Sequence, residues 1–246
     1  MDHFIYTAAS GAREVLLAQA VNSHNLANVS TPGFKADLVQ AESRYLVGAG
    51  EETRVFGALR DQGVDFSAGT MQTTGRDLDV AIVGDGWMAV RGPDGTEGLT
   101  RRGDLRVDPF GQLTNGAGQQ VFGNDGPIAL PPFSTLTIGT DGTVSIVPIG
   151  GRPDNQVAID RIKLVNPPAA SLEKGPEGLL RLGPGVESVA DAAVRLTPGA
   201  LEGSNVNSVS AMVKMIELAR EYETHVRMMK IGQELDSSSA ELMSLQ

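Results

Sequence analysis

Apolar positions recur along this chain with a helical period at both ends and a period of two between them. From about Ile5 to Asn28 one side runs Ile5, Ala8, Ala12, Val15, Gln19, Asn22 and Leu26, in steps of three and four, which predicts a helix. That stretch holds no proline, and its one glycine, Gly11, costs about 1 kcal/mol against alanine. Ser30-Thr31-Pro32-Gly33 then stops the helix, because Pro32 lacks an N–H and drives Thr31 towards extended geometry.

Between about Asp79 and Thr197 the alternation is strand-like. Asp79 to Val83, Trp87 to Val90, Asp104 to Val107, Thr135 to Ile138, Thr143 to Val147 and Val157 to Val165 are the predicted strands. Asp85-Gly86, Asp94-Gly95, Asp125-Gly126 and Asp141-Gly142 punctuate them. Asp-Gly favours type I′ hairpin turns, and Asp141-Gly142 is the strongest hairpin expectation. Ala36 to Asp77 has weak periodicity and is expected to be an extended connector.

After Gly203 the helical step returns through Val206, Val209, Val213, Ile216, Ala219, Tyr222, Val226 and Met229, and more loosely through Leu235, Leu242 and Leu245. Asn205, Asn207 and Ser208 are all competent N-caps. A helix from Asn207 to Leu245 would be about 58 Å long, at about 1.5 Å per residue. A single-stripe helix of that length needs an extended partner, and the other helical stripe lies at the far end of the chain. The two can pair with each other or with copies from neighbouring chains. With no assured intrachain partner of matching length, they are expected to be poorly ordered in the isolated subunit. The competing pattern is a layered globular protein whose terminal helices pack on its own sheet.

Composition narrows the chemistry. The formal net charge of −10 disfavours nucleic-acid binding, which needs a basic face, and Arg101-Arg102 is expected to be a solvated pair. The absence of cysteine excludes disulfides, thiol nucleophiles and thiolate metal sites. Thirty glycines imply many turns. No run reaches the roughly 18 apolar residues of a membrane span, so membrane insertion is not expected. The start carries Asp2 and no basic segment before its apolar residues, so a cleavable signal peptide is not expected either.

No catalytic, cofactor or metal site emerges. His3, His24 and His225 have no zinc-binding spacing, and His24 and His225 are expected to face solvent or a partner. Gly84-Asp85-Gly86 lacks the third glycine and the following helix of a dinucleotide loop. Asp77 and Asp79 lack the remaining ligands of a calcium loop. No nucleophile elbow or phosphate loop occurs.

Asn25-Leu26-Ala27-Asn28, then Thr31, then Gly33-Phe34-Lys35, resembles the N-terminal signature of the flagellar rod and hook proteins. Val83 to Val90, Thr100 to Leu105 and Asp108 to Leu113 resemble that family's shared β domain, with Trp87 where Phe is usual and Leu99 where Tyr or Phe is usual. Leu201 to Asn207, followed by Met212-Val213, Met215-Ile216 and Tyr222-Glu223, resembles its C-terminal helix. Within the family the opening and the late Val226 to Lys230 look most like a proximal rod member, with the distal rod member the nearest competitor.

The resemblance implies a non-enzymatic structural subunit of the periplasmic rod, exported through the flagellar type III apparatus, with copies of itself and neighbouring rod proteins as partners. The expected fold is mainly β with terminal α-helices: a β-rich domain over 78–200, and a coiled-coil-like helical domain formed by 1–35 and 201–246, joined by a connector over 36–77. The signature residues are the expected assembly motif, and Val206 to Met229 at the spacing above the expected C-terminal seam. Asn22, Asn25 and Asn28 recur every third residue, suited either to capping the helix or to a subunit contact. Other classes stay open: a secreted β-rich binding protein with helical extensions, and a hydrolase with an uncommon site.

Overall fold

The computed structural model describes residues 3–45, 55–152, 154–175 and 177–244. Met1, Asp2, Leu245 and the middle of the expected connector, 46–54, lie outside them. The chain divides into two compact units. One comprises Met1–Ala27, Asp37–Gly63 and Val206–Gln246, the other Asn28–Ala36 and Val64–Asn205.

The first unit is built on two helices, α1 (His3–Ala27) and α2 (Ser208–Ser244). Of the competing N-caps Asn207 is the one used. Its Oδ1 accepts the Ser210 N–H at 3.0 Å and its carbonyl accepts the first helical bond, from Ala211. The helices run antiparallel: Asn22 of α1 meets Ala211 near the start of α2, and Gly11 meets His225 farther along. α1 buries Ala8, Ala12 and Val15, as its apolar spacing predicts. The inner face of α2 is Ala211, Met215, Leu218, Tyr222, His225, Met229 and Gly232, an alternation of four and three that repeats every seven residues. Each helix is thus the other's partner, within one chain.

Strands Asp37–Tyr45 and Val55–Val64 pair into a two-stranded ribbon inside the stretch expected to be a connector. The sequence from Asp37 to Tyr45 has no sustained apolar-polar alternation, so this backbone pairing leaves no hydrophobic signal.

The second unit is β-rich. One five-stranded antiparallel sheet runs, edge to edge, Leu164–Val165, Trp87–Arg91, Glu97–Thr100, Leu180–Leu182, Leu172–Lys174. A three-stranded sheet orders Val157–Arg161, Thr143–Pro148, Phe133–Ile138. Short pairs complete it, among them Val80–Val83 with Arg195–Pro198, and Met71–Thr73 with Ala200–Glu202. The main core gathers alternate residues of these strands, including Val80, Met88, Val90, Ile146, Leu164 and Leu196, together with Leu105 and Leu113. Trp87, Ala89, Leu99, Val165 and Leu180 form a second cluster, with Phe66 edge-on to Trp87 at 5.7 Å between ring centres. At both departures from the family's usual aromatics, Trp87 and Leu99, the side chain is therefore in the core.

The Asp141-Gly142 hairpin forms, but with a different turn. Type I′ requires positive φ at both central residues, and no non-glycine among the described residues has one. Gly142 N–H bonds the Gly139 carbonyl and Gly139 N–H the Thr143 carbonyl, so a type I turn is followed by a bulge with Gly142 at φ +87°. The Asp141 carboxylate accepts the Thr143 N–H and hydroxyl, which holds the aspartate in place. Gly142→Ala is expected to destabilise this unit by about 1–2 kcal/mol, the cost of a left-handed backbone for an L side chain. A denaturant midpoint unchanged from the parent would contradict that assignment.

Candidate functional site

Three segments far apart in sequence meet in the β-rich unit: Gly33 to Ala36, Gly84 to Arg101 and Glu202 to Asn205. Gly33 starts the convergence. Its φ is +66°, and a Cβ there would lie 2.3 Å from the Arg101 carbonyl carbon, so only glycine allows this approach. Its N–H donates to the Glu202 carbonyl at 2.7 Å. Two residues on, Lys35 places its ammonium 2.7 Å from Glu202 Oε1 and 2.6 Å from the Ser67 carbonyl. Gly69 N–H donates to the same carboxylate oxygen at 2.9 Å. Arg101 Nη1 donates to Glu202 Oε2 at 2.8 Å, while its Nε and Nη2 donate to the carbonyls of Gly86 and Gly84. The Arg101 guanidinium also lies over Trp87, 5.1 Å from the ring centre.

Side-chain exposure is 1% for Glu202, 3% for Lys35 and 6% for Arg101. A carboxylate and two cations are therefore held almost out of water. Desolvation is the largest influence on Glu202 and by itself raises its pKa. The bonds from Lys35 and Gly69 and the charge of Arg101 outweigh it and hold the carboxyl below its ordinary range. Burial pushes the Lys35 ammonium below its usual value, and the bond to Glu202 opposes that shift without cancelling it. Arg101-Arg102 is therefore not a solvated pair: Arg101 is buried on Glu202, and Arg102 pairs with Asp104 at 2.8 Å. The pattern around Arg101 held no sign of this, because its partner lies 101 positions away.

Asn205 ties the same region. Its Oδ1 accepts the Ala36 N–H at 2.8 Å and its Nδ2 donates to the Asp65 carbonyl at 2.8 Å. Phe34 is half-buried rather than fully buried, with the Lys174 ammonium 4.2 Å from its ring centre, so its contribution is partly cation–π. Thr31 donates its hydroxyl to Asn28 Oδ1 at 3.1 Å and its N–H to the Asn28 carbonyl, the local capping arrangement.

The other signature residues belong to the helical unit. Asn25 makes a reciprocal amide clasp with the Asp37 backbone, accepting its N–H and donating to its carbonyl, both at 2.9 Å. His24 Nδ1 lies 2.8 Å from the Asp37 carboxylate. Asn22 Nδ2 donates to the Ala211 carbonyl at 2.8 Å, so its amide serves the other helix. Leu26 is half-buried and Ala27 exposed.

Of the expected seam, Tyr222, Val226 and Met229 are half-buried, as is Val206 before the helix begins. Val209, Val213, Ile216 and Ala219 are exposed. With Met212 they give α2 an outward apolar stripe: Val209 is 69% accessible, Met212 53%, Val213 51% and Ile216 57%. No group of three or more His, Cys, Asp or Glu suited to a metal occurs among the described residues.

Comparison with known proteins places this geometry. A family model described as flagella basal body rod protein matches residues 5–35, one described as flagellar hook protein FlgE/F/G D1 domain matches 81–146, and one described as flagellar basal body rod FlgEFG protein C-terminal matches 197–242. The chain is 39% identical over its full length, and over the full length of the relative, to the flagellar basal-body rod protein FlgF of Escherichia coli. It is equally similar to FlgF of Salmonella typhimurium. The similarity to the flagellar basal-body rod protein FlgG of Bacillus subtilis is 30% over 94% of this chain and 95% of that one.

Glu202→Gln leaves two buried cations without their counter-charge and is expected to cost about 3–5 kcal/mol. The pH dependence follows from the direction of the shift. A carboxyl that titrates lower when folded stabilises fully above the ordinary glutamate value of 4.5, and that contribution is lost as pH falls through the folded value. The stability gap between parent and variant should therefore be widest near neutrality and close in acid. A gap that is constant with pH, measured by urea unfolding, would remove the carboxylate from this role.

Proposed function

This chain belongs to the flagellar basal-body rod protein family, and we infer from that premise that it is a structural subunit of the basal-body rod, which assembles and does not catalyse. Its curated relatives are named as rod proteins throughout. The 39% identity to FlgF of Escherichia coli and of Salmonella typhimurium, against 30% to FlgG of Bacillus subtilis, supports a place in the proximal rod.

The observation that carries the assembly reading is the outward stripe of α2. α1 already covers the inner face, so Val209, Met212, Val213 and Ile216 remain for contacts with other subunits. Copies of the same chain and neighbouring rod proteins are the partners that suit it. Heterologous contacts of this kind generate an open helical tube rather than a closed ring, as a rod requires. The periplasmic position and delivery through the flagellar type III apparatus follow from the same reading. The net charge of −10 argues against nucleic acid as a partner, and no described helix is long and apolar enough to cross a membrane.

Ile216→Asp is the direct test. Ile216 is exposed in the single subunit, so the variant should fold and be secreted normally. In an assembled, dry contact the same carboxylate would be unpaired and costly by several kcal/mol. Its incorporation into isolated basal bodies and the motility of the cells should fall sharply. Glu217→Gln, one position on, should be tolerated. Normal rods from Ile216→Asp, or equal damage from Glu217→Gln, would reject the stripe as an assembly face.

A further inference from the structure

α2 opens with two apolar stripes, and over its first three turns the one it turns towards α1 is the smaller. The inner stripe includes an alanine, a histidine and a glycine: Ala211, His225 and Gly232. The outer one opens with Val209, Met212, Val213 and Ile216. Over the first three turns burial of apolar area alone would favour the outer stripe; beyond Ala219 the outer face turns to Arg220, Glu223, Arg227 and Lys230, while the inner stripe keeps Tyr222 and Met229. Leu218, which is 4% exposed, lies two residues beyond Ile216, more than half a helical turn around the axis. In the first turns, something besides local hydrophobicity holds the phase.

We propose that His225, seated on the bare backbone of Gly11, sets the rotational phase of α2 against α1 and so reserves the outer stripe of its first turns for other subunits. A methyl group built on Gly11 would lie 2.3 Å from His225 Cε1, 2.8 Å from Nδ1 and 2.9 Å from Nε2. The ring therefore occupies the space that any side chain at position 11 would need. His225 Nδ1 is buried and has no hydrogen-bond partner among the described residues, so shape contributes more to this placement than polar pairing. Gly11 is flanked on the same face by Ala8 and Ala12, 5% and 6% exposed, which make a shallow wall with one deep notch. Turning α2 to bury Ile216 would take His225 out of the notch and strand the Asn22 amide, which now bonds the Ala211 carbonyl. One bulky residue in one gap fixes a helix pair as a single polar residue fixes a coiled-coil register. The second half of the proposal, the use of the outer stripe, rests on the assembly reading above.

The chain has no cysteine, so single-cysteine reporters read the phase directly. In the full-length subunit, Ile216→Cys should react rapidly with a maleimide. Leu218→Cys should react at least about tenfold more slowly, since labelling there waits for local opening. Adding Gly11→Leu removes the notch while raising intrinsic helix propensity. Whether α2 then rotates or separates, the protection at position 218 should be lost. Adding His225→Ala to Gly11→Leu should restore it, because leucine then fills the space the ring vacates. Unchanged protection in Gly11→Leu, or no recovery in the double variant, would overturn the proposal. Incorporation into basal bodies separates its two halves. If Gly11→Leu abolishes protection and still builds normal rods, the phase assignment stands and the assembly reading fails.

Discussion

A carboxylate held almost out of water organises the β-rich unit, and most of the local structure follows from what it needs. Glu202 is acceptable in that position only because Lys35, Arg101 and the Gly69 N–H reach it together. Bringing them there demands a glycine at 33, an approach to the Arg101 backbone that no other residue permits, and a strand pair between Met71–Thr73 and Ala200–Glu202. The two cations exceed the one anion, and backbone carbonyls of Ser67, Gly84 and Gly86 accept further bonds from them. Such a network is a demanding specifier of structure: removing one member leaves the others buried and uncompensated.

The helical ends were legible as helices, and α1 was legible in phase. Ala8, Ala12 and Val15 stand where the apolar spacing puts them. α2 was legible in length but not in the direction its faces point. Spacing identifies stripes, and this helix has more than one. The face it turns to α1 repeats every seven residues, but spacing alone does not rank that face above the outer one in the first turns, and the seat of His225 on Gly11 joins residues more than 200 positions apart. Which of the two open pairings would form, helix with helix or helix with a neighbouring copy, was equally hidden, since compatibility of Gly11 with His225 is not a property of either helix alone.

In the β region, alternation located the principal strands and the hairpin at Asp141-Gly142. It misjudged the turn type, because an Asp-Gly pair is compatible with several turns and the choice depends on the loop length the strands impose. The signature residues were visible as a group, though their division between a clasp on Asp37 and a salt-bridged cluster was not. The buried ion pairs were hidden more deeply. Lys35, Arg101 and Glu202 each stand among residues that look solvent-facing, and nothing local distinguishes a charge destined for the interior from one destined for water.

The separation of these partners has a kinetic consequence. Lys35 and Glu202 are 167 residues apart, and Arg101 and Glu202 are 101 apart. The loop that must close before the cluster exists is most of the chain, so its entropic cost is met early and its reward comes late. A chain emerging in either direction carries unmatched charges until nearly all of it has arrived. The same cluster that makes the finished unit specific is thus a contact that cannot form until the strand carrying Glu202 and the segment carrying Lys35 are both present.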